Sequence, residues 1–343
     1  MPLFAVITGP NKIEIQEKAA LQPKAQEVII SPEVVGICGT DLALYSGDYQ
    51  IPLPITPGHE FVGKVIEIGK GVDKSWLDKR VVGEINNTCI AYNWTPLCRA
   101  CRIGLPNHCV KRTVTGIINH NGAFAEQLSV PVGTLHEIPK TLSSPVAVLI
   151  EPLAAALQTF DLSPVKPNDT VVVVGCGRLG ILIICAAILK GINTIAISRS
   201  EEKRHRAINF GAKQAIHPNE AEKEIKSQTG GLGADLVVDC TGNSEGLALA
   251  LELVRPRGSV AVKTTCGLPA KGINTTQIAV DEICIQGSRC GRFFPAIEIL
   301  EKHQKQLSNL ITSVIPFTEI ESAFQAAKTE SKVLLDIGLS KTN

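Results

Sequence analysis

Four consecutive valines, Val171–Val174, run without a break into Gly175-Cys176-Gly177-Arg178-Leu179-Gly180 and then into a long apolar stretch. A short, wholly apolar run that stops at glycine reads as a strand buried on both faces, and the stretch beyond is long enough for a helix. Strand, glycine turn and helix in direct succession open a βαβ unit. The spacing of these three glycines is the one that holds a dinucleotide pyrophosphate. Gly175 permits the tight turn, Gly177 lets the backbone approach the anion, and Gly180 allows the helix to pack closely on the sheet. Arg178 and Leu179 begin the helix whose N-terminal amides face the ligand.

The alternation continues beyond this unit. Residues 194–197, 236–239, 259–262 and 283–286 are further expected strands, with helices centred near Ile184, Arg206, Glu224 and Ala250, which predicts a doubly wound parallel sheet. Before residue 152 the texture differs. From Val28 to about Val132, short Val/Ile-rich runs such as 27–30 and 61–66 are punctuated by Gly and Pro and read as a mainly β half. From about residue 290 the βα alternation ends, leaving helical patterns at 294–302 and 320–327 and an apolar strand at 333–337, which are assigned back to the first half. The expected class is α/β, with one domain of residues 1–152 and 288–343 and a nucleotide domain of residues 153–287.

If the cofactor were NAD, the second strand would end in an acidic residue about twenty positions after the glycines, to accept hydrogen bonds from the ribose hydroxyls. Ser198 and Arg199 stand there instead. A carboxylate would repel a 2′-phosphate, whereas a hydroxyl and a guanidinium bind one, and Lys203 or Arg204 one turn later adds a second cation. NADP is therefore the expected cofactor. NAD is the alternative if these basic groups form only a solvated helix face.

Composition narrows the partners. Lys and Arg total 34 against 33 Asp and Glu, so no excess positive charge exists to neutralise nucleic acid or an anionic membrane surface. The first residues carry no basic segment followed by an apolar stretch, and a cytoplasmic protein is expected. The 11 cysteines are an odd number, most of them in apolar strands or one tight cluster, which points to thiols and metal rather than a disulfide framework.

Two stretches, Gly36-Ile37-Cys38-Gly39-Thr40-Asp41 and Gly58-His59-Glu60-Phe61-Val62-Gly63 continuing to Gly69, are more specific. With Glu151-Pro152-Leu153-Ala154, the glycine turn and Gly287-Ser288-Arg289, the chain resembles the zinc-containing medium-chain dehydrogenase/reductase family over nearly its whole length, nearest the polyol and threonine dehydrogenase branch. The resemblance implies a GroES-like catalytic domain with a Rossmann domain. It also implies hydride transfer between a nicotinamide cofactor and a small alcohol, aldehyde or ketone. The implied catalytic zinc is held by Cys38 and His59, with Glu60 or Glu151 completing the shell directly or through a water. Thiolate, imidazole and carboxylate form a mixed set suited to zinc with one position left open. Asp41 is implied to hydrogen-bond the far nitrogen of His59, and Thr40 to relay the alcohol proton. Several relatives have a histidine where this chain has Ala43, so the proton must leave through water, the cofactor ribose or another side chain.

Cys98-Arg99-Ala100-Cys101 followed by Cys109 matches the last three ligands of the family's structural zinc site. Thr95 occupies the usual place of the first ligand, and Cys89 is the nearest cysteine, so a longer loop must return it to the metal. A closed four-Cys site is favoured over an empty, reduced lobe. The apolar run 280–286 resembles the edge that pairs across a two-fold axis in family dimers, and a homodimer or homotetramer is expected. The expected function is a zinc-dependent alcohol or polyol dehydrogenase using NADP(H). An NAD-dependent threonine or sorbitol-type dehydrogenase is the enzymatic alternative, and a non-catalytic zinc- and nucleotide-binding redox sensor is the alternative from another class. Retention of Cys38, Thr40, His59, Glu60 and Glu151 argues against the last.

Overall fold

In the computed structural model, residues 1–263, 265 and 269–338 are described. The four valines form the strand Val171–Val174, fully buried, at the centre of a six-stranded sheet. Its neighbours in order are Gln214–Ile216, Thr194–Ile197, Val171–Val174, Ala234–Asp239, Val254–Val262 and Cys284–Gly287, all parallel. Numbered by sequence this order is 3-2-1-4-5-6, so the winding reverses beside Val171–Val174, where a doubly wound sheet opens a ligand crevice at the carboxyl ends of its strands. Helices Arg178–Leu189, Glu201–Asn209, Pro218–Gln228 and Gly246–Leu253 alternate with the strands. Val172, Ile195, Ile225, Val237, Leu251 and Val260 are among the residues of one apolar core. The sheet has one more strand than the sequence pattern predicts. Gln214–Ile216 is three residues long and only Ile216 is buried, so it carries too little apolar signal to be read as a strand.

By its internal packing the chain divides into Pro152–Arg292, which holds this sheet, and a second unit of Met1–Glu151 with Phe293–Asn343. The second unit is mainly β. Its largest sheet runs Ser313–Pro316, Val333–Asp336, Glu27–Gly36, Glu60–Ile68, Arg80–Gly83 and Leu135–Glu137, with Leu128–Pro131 also paired to Glu27–Gly36. Leu3–Gly9 and Lys12–Glu17 form a separate hairpin. Phe124, Phe317 and Phe324 are fully buried, and the Phe124 and Phe324 rings meet edge to face at 5.9 Å. The carboxy-terminal segment completes this unit physically, because Val333–Asp336 pairs antiparallel with Glu27–Gly36.

Candidate active site and metal centres

The strand Glu27–Gly36 ends two residues before Cys38, which caps the helix Gly39–Ser46. Asp41, wholly buried in the first turn, turns back and fixes this junction: its Oδ2 accepts the Cys38 amide at 2.8 Å and its Oδ1 the Gly58 amide at 3.1 Å. The antiparallel strand Glu60–Ile68 places Glu60 directly opposite Gly36. His59 immediately precedes it, so Cys38, His59 and Glu60 converge. Their donor atoms all lie within 4.8 Å of one another, and His59 and Glu60 are buried. A sulfur, a nitrogen and a carboxylate oxygen gathered in a buried pocket fit zinc, which accepts all three donor types.

His59 Nδ1 lies 3.5 Å from Asp41 Oδ1. This exceeds hydrogen-bond length, because the same carboxylate is already drawn to the Cys38 and Gly58 amides. The contact is electrostatic all the same. Burial alone would favour neutral imidazole, but the negative charges of Asp41 and Cys38 beside the ring outweigh it and hold the His59 pKa well above its ordinary value. Thr40, half-buried on the same helix, has its Oγ1 3.9 Å from Cys38 Sγ. Glu151, in the first turn of Ile150–Leu162 and half-buried, is not part of the group formed by Cys38, His59 and Glu60.

One participant is not apparent from sequence. Lys332, 4% exposed, donates from Nζ to Glu60 Oε2. The two residues are separated by 272 positions, and only the pairing of Val333–Asp336 with Glu27–Gly36 brings them together.

The four cysteines of the lobe also converge. Cys89, Cys98, Cys101 and Cys109 have sulfurs within 4.8 Å of one another, with Cys89 to Cys109 at 3.4 Å and Cys98 to Cys109 at 3.7 Å. A tetrahedral site with zinc–sulfur bonds of about 2.3 Å has sulfurs about 3.8 Å apart, so the set has the dimensions of a closed tetrahedral site. The long loop returns to Cys89 by a hydrogen bond from the Trp94 amide to the Cys89 carbonyl, 2.9 Å, and by stacking of Tyr92 on Trp94 at 4.5 Å. Backbone amides of Cys101 and Val110 push the Cys98 thiol down to about 6, while burial pushes Cys101 up to about 12.

In the nucleotide unit, Gly175 adopts φ +95° and its amide donates to Ile197 O at 2.9 Å, tying the turn to the neighbouring strand. Gly177 caps the helix Arg178–Leu189, and a Cβ there would meet nothing within 4 Å among the described residues. A Cβ on Gly180 would overlap the Gly175 carbonyl oxygen. Arg178 and Leu179 are half-buried in the first turn of this helix. Ser198 and Arg199 follow Thr194–Ile197, and Val174 is paired with Ile197, so they stand beside the glycine turn. The two candidate second cations separate here. Arg204 donates to the carbonyls of Ser198 and Arg199 at 2.8 and 2.9 Å, committing it to the loop backbone, whereas Arg199 and Lys203 are exposed.

Comparison with known proteins agrees with this arrangement. The alcohol dehydrogenase GroES-like domain matches residues 24–140, and the zinc-binding dehydrogenase domain matches residues 179–304. A sorbitol dehydrogenase of Halalkalibacterium halodurans is 30% identical over 336 residues, covering 95% of this chain and 96% of the relative. Among solved structures, an alcohol dehydrogenase from Escherichia coli CFT073 complexed with NADH has a TM-score of 0.88 at 28% identity, covering 98% of this chain and 99% of that one. A Sinorhizobium meliloti 1021 chain assigned as a zinc-binding dehydrogenase and bound to NADP has a TM-score of 0.85 at 28% identity, with the same coverage. Domain matches in both units and full-length likeness to dehydrogenases lead to one conclusion: the chain belongs to the zinc-type medium-chain alcohol dehydrogenase family of oxidoreductases.

Proposed function

We propose that the protein is an NADP-preferring, zinc-dependent alcohol or polyol dehydrogenase. The observation that carries this is the convergence of Cys38, His59 and Glu60, in a family whose members pair such a centre with a nicotinamide site. Zinc held by these residues would polarise the substrate oxygen, and the nicotinamide ring would exchange the hydride. The remaining work belongs to the chain. Asp41 orients His59 by charge and fixes Cys38 through its amide. Thr40 Oγ1 takes the alcohol proton in oxidation and returns it in reduction. With Ala43 one turn on, that proton passes to water or the cofactor ribose rather than to a histidine.

The open space at Gly177 suits close approach of a pyrophosphate, and exposed Arg199 and Lys203 suit a 2′-phosphate. An NAD-dependent sorbitol-type activity is the second reading, favoured by the sorbitol dehydrogenase relative and by the NADH-bound neighbour. Cys89, Cys98, Cys101 and Cys109 would hold a structural zinc with no open position. A cytoplasmic homodimer or homotetramer is part of the proposal. Cys284–Gly287 is an edge strand of the parallel sheet with Ile285 exposed on it, and Val280, at the end of the preceding helix Thr275–Val280, is exposed nearby.

Steady-state turnover of alcohols, polyols, hydroxy amino acids and aldehydes with NADP(H) and NAD(H) in parallel tests the proposal. Turnover that favours NADP(H) and vanishes in Cys38→Ser is the expected result. Preference for NAD(H) would select the second reading, and silence with both cofactors on zinc-loaded protein would refute both.

A further inference from the structure

The carboxyl edge of the parallel sheet is level. Ile197, Val174, Asp239, Val262 and Gly287 are paired across it, each with the next. The residues that follow them, Ser198, Gly175, Cys240, Lys263 and Ser288, therefore form a row along the crevice, with strands about 4.8 Å apart. A dinucleotide crosses such a crevice where the winding reverses, one mononucleotide to each side. In the proposed cofactor site Ser198 and Arg199 take the adenosine side and the glycine turn takes the pyrophosphate. The nicotinamide half then belongs over Asp239, Val262 and Gly287, and a lysine stands in the middle of that half.

Lys263 is 6% exposed. Its amide donates to Asp239 O at 2.9 Å, and its Nζ donates to Ala155 O at 2.7 Å and to Ser288 Oγ and Arg289 O at 3.2 Å each. These three acceptors of Nζ are neutral oxygens, which fix an ammonium in place without cancelling its charge. A charge at this depth is costly, and neutral donors could tie the same carbonyls together. Its influence extends along the edge: burial pushes the Cys240 thiol up, and Lys263 opposes the rise. The carboxylate at the same level, Asp239, has Oδ1 engaged by the amide and hydroxyl of Thr241.

We propose that Lys263 belongs to the nicotinamide half-site and that its ammonium selects the reduced cofactor over the oxidised one. The proposal rests on the nicotinamide site of the preceding subsection. An oxidised nicotinamide ring carries a positive charge and a reduced ring none, so a cation held near it raises the free energy of the oxidised complex alone. In alcohol oxidation the C–H bond of the substrate carbon breaks, and hydrogen and electron pair move to the ring as hydride. That transfer cancels the ring charge, while the hydroxyl proton leaves through Thr40. Lys263 thus makes the bound oxidised ring a stronger hydride acceptor. Arg199 and Lys203 act on the opposite end of the cofactor and on both redox forms alike.

Dissociation constants of NADP+ and NADPH, measured by calorimetry on the full-length, zinc-loaded protein without substrate, test this. Wild type should bind NADPH at least about tenfold more tightly than NADP+, which raises the potential of the bound couple by about 30 mV per tenfold. Lys263→Met should lower that ratio at least about fivefold, while Lys263→Arg and Ser288→Ala, which keep the charge, stay within about twofold of wild type. If Lys263→Met does not accumulate as folded protein, Lys263→Gln keeps a donor without the charge and must lower the ratio too. A merely structural lysine would, when removed, weaken both forms alike, so an unchanged ratio in the neutral variants would overturn the proposal. An equal fall in Lys263→Arg would overturn it as well, leaving geometry as the cause. Where NAD(H) binds in preference, the second reading of the function holds and the ratio of NAD+ to NADH must show the same fall, because the ring is common to both pairs. A wild-type protein that binds neither pair would instead refute the proposed function, and the role of Lys263 with it.

Discussion

Gly177 and Gly180 lie three residues apart in one turn, and a methyl group should have opposite consequences at the two. A Cβ on Gly177 meets nothing within 4 Å among the described residues, and its φ of −80° with ψ −164° is open to alanine. Gly177→Ala should leave stability within about 0.5 kcal/mol of wild type, or raise it slightly by stiffening the unfolded chain. The new methyl group nevertheless stands at the helix N-terminus where a pyrophosphate would approach, and should weaken dinucleotide binding by about ten- to a hundredfold, or about 1.4–2.7 kcal/mol. In Gly180→Ala the Cβ would overlap the Gly175 carbonyl oxygen and lie 3.1 Å from Gly175 C. That carbonyl cannot swing aside, because Gly175 is held at φ +95° with its amide bound to Ile197 O. The helix must lift off the strand, an overpacking cost of about 1–3 kcal/mol or more, read as a fall in Tm of about 2–4 °C per kcal/mol. Thermal melts without cofactor and NADP(H) titration by nicotinamide fluorescence separate the two effects. A Gly177→Ala protein that melts as low as Gly180→Ala, or that binds dinucleotide at wild-type affinity, would refute the assignment of roles.

Asp41→Asn keeps the shape but offers one acceptor oxygen where two amides now donate, so stability should fall by about 1–3 kcal/mol in urea unfolding. Zinc affinity should fall about ten- to a hundredfold in chelator competition; wild-type affinity would remove Asp41 from the metal centre. Cys98→Ser should yield protein with one zinc fewer per chain by elemental analysis, and proteolysis should begin between residues 89 and 109; unchanged zinc content would mean the lobe is closed without metal. Cys284 is exposed on the edge strand, so a thiol reagent at pH 8 should modify it slowly in the dimer and rapidly on dilution below the dissociation constant. Equal rates would leave the edge open. Cys185, pushed up to about 12 by burial, remains a thiol at that pH and should react only on unfolding.

What the sequence discloses here follows the range of the interactions involved. The valine run, the glycine turn and the helix after it are set by residues within a dozen positions of one another, so composition and spacing suffice to place them. The same holds for Cys38 with Asp41, whose contact closes one helical turn. Gln214–Ile216 escapes because its strand character comes from pairing with Thr194–Ile197 rather than from its own side chains. Arg204 and Lys203 look interchangeable in sequence, and only the path of the loop commits one guanidinium to backbone carbonyls. The Lys332–Glu60 pair is the extreme case. Nothing local marks Lys332, which simply precedes the apolar strand Val333–Asp336. Its contact with Glu60 depends on two strand registers meeting at Gly36. A trace was nevertheless present: a glycine closes the strand Glu27–Gly36, two positions before a candidate ligand, where a side chain would otherwise stand. In a strand that ends at a buried site, a residue without a side chain marks the place where groups from both neighbouring strands approach. In this chain, those groups are opposite charges.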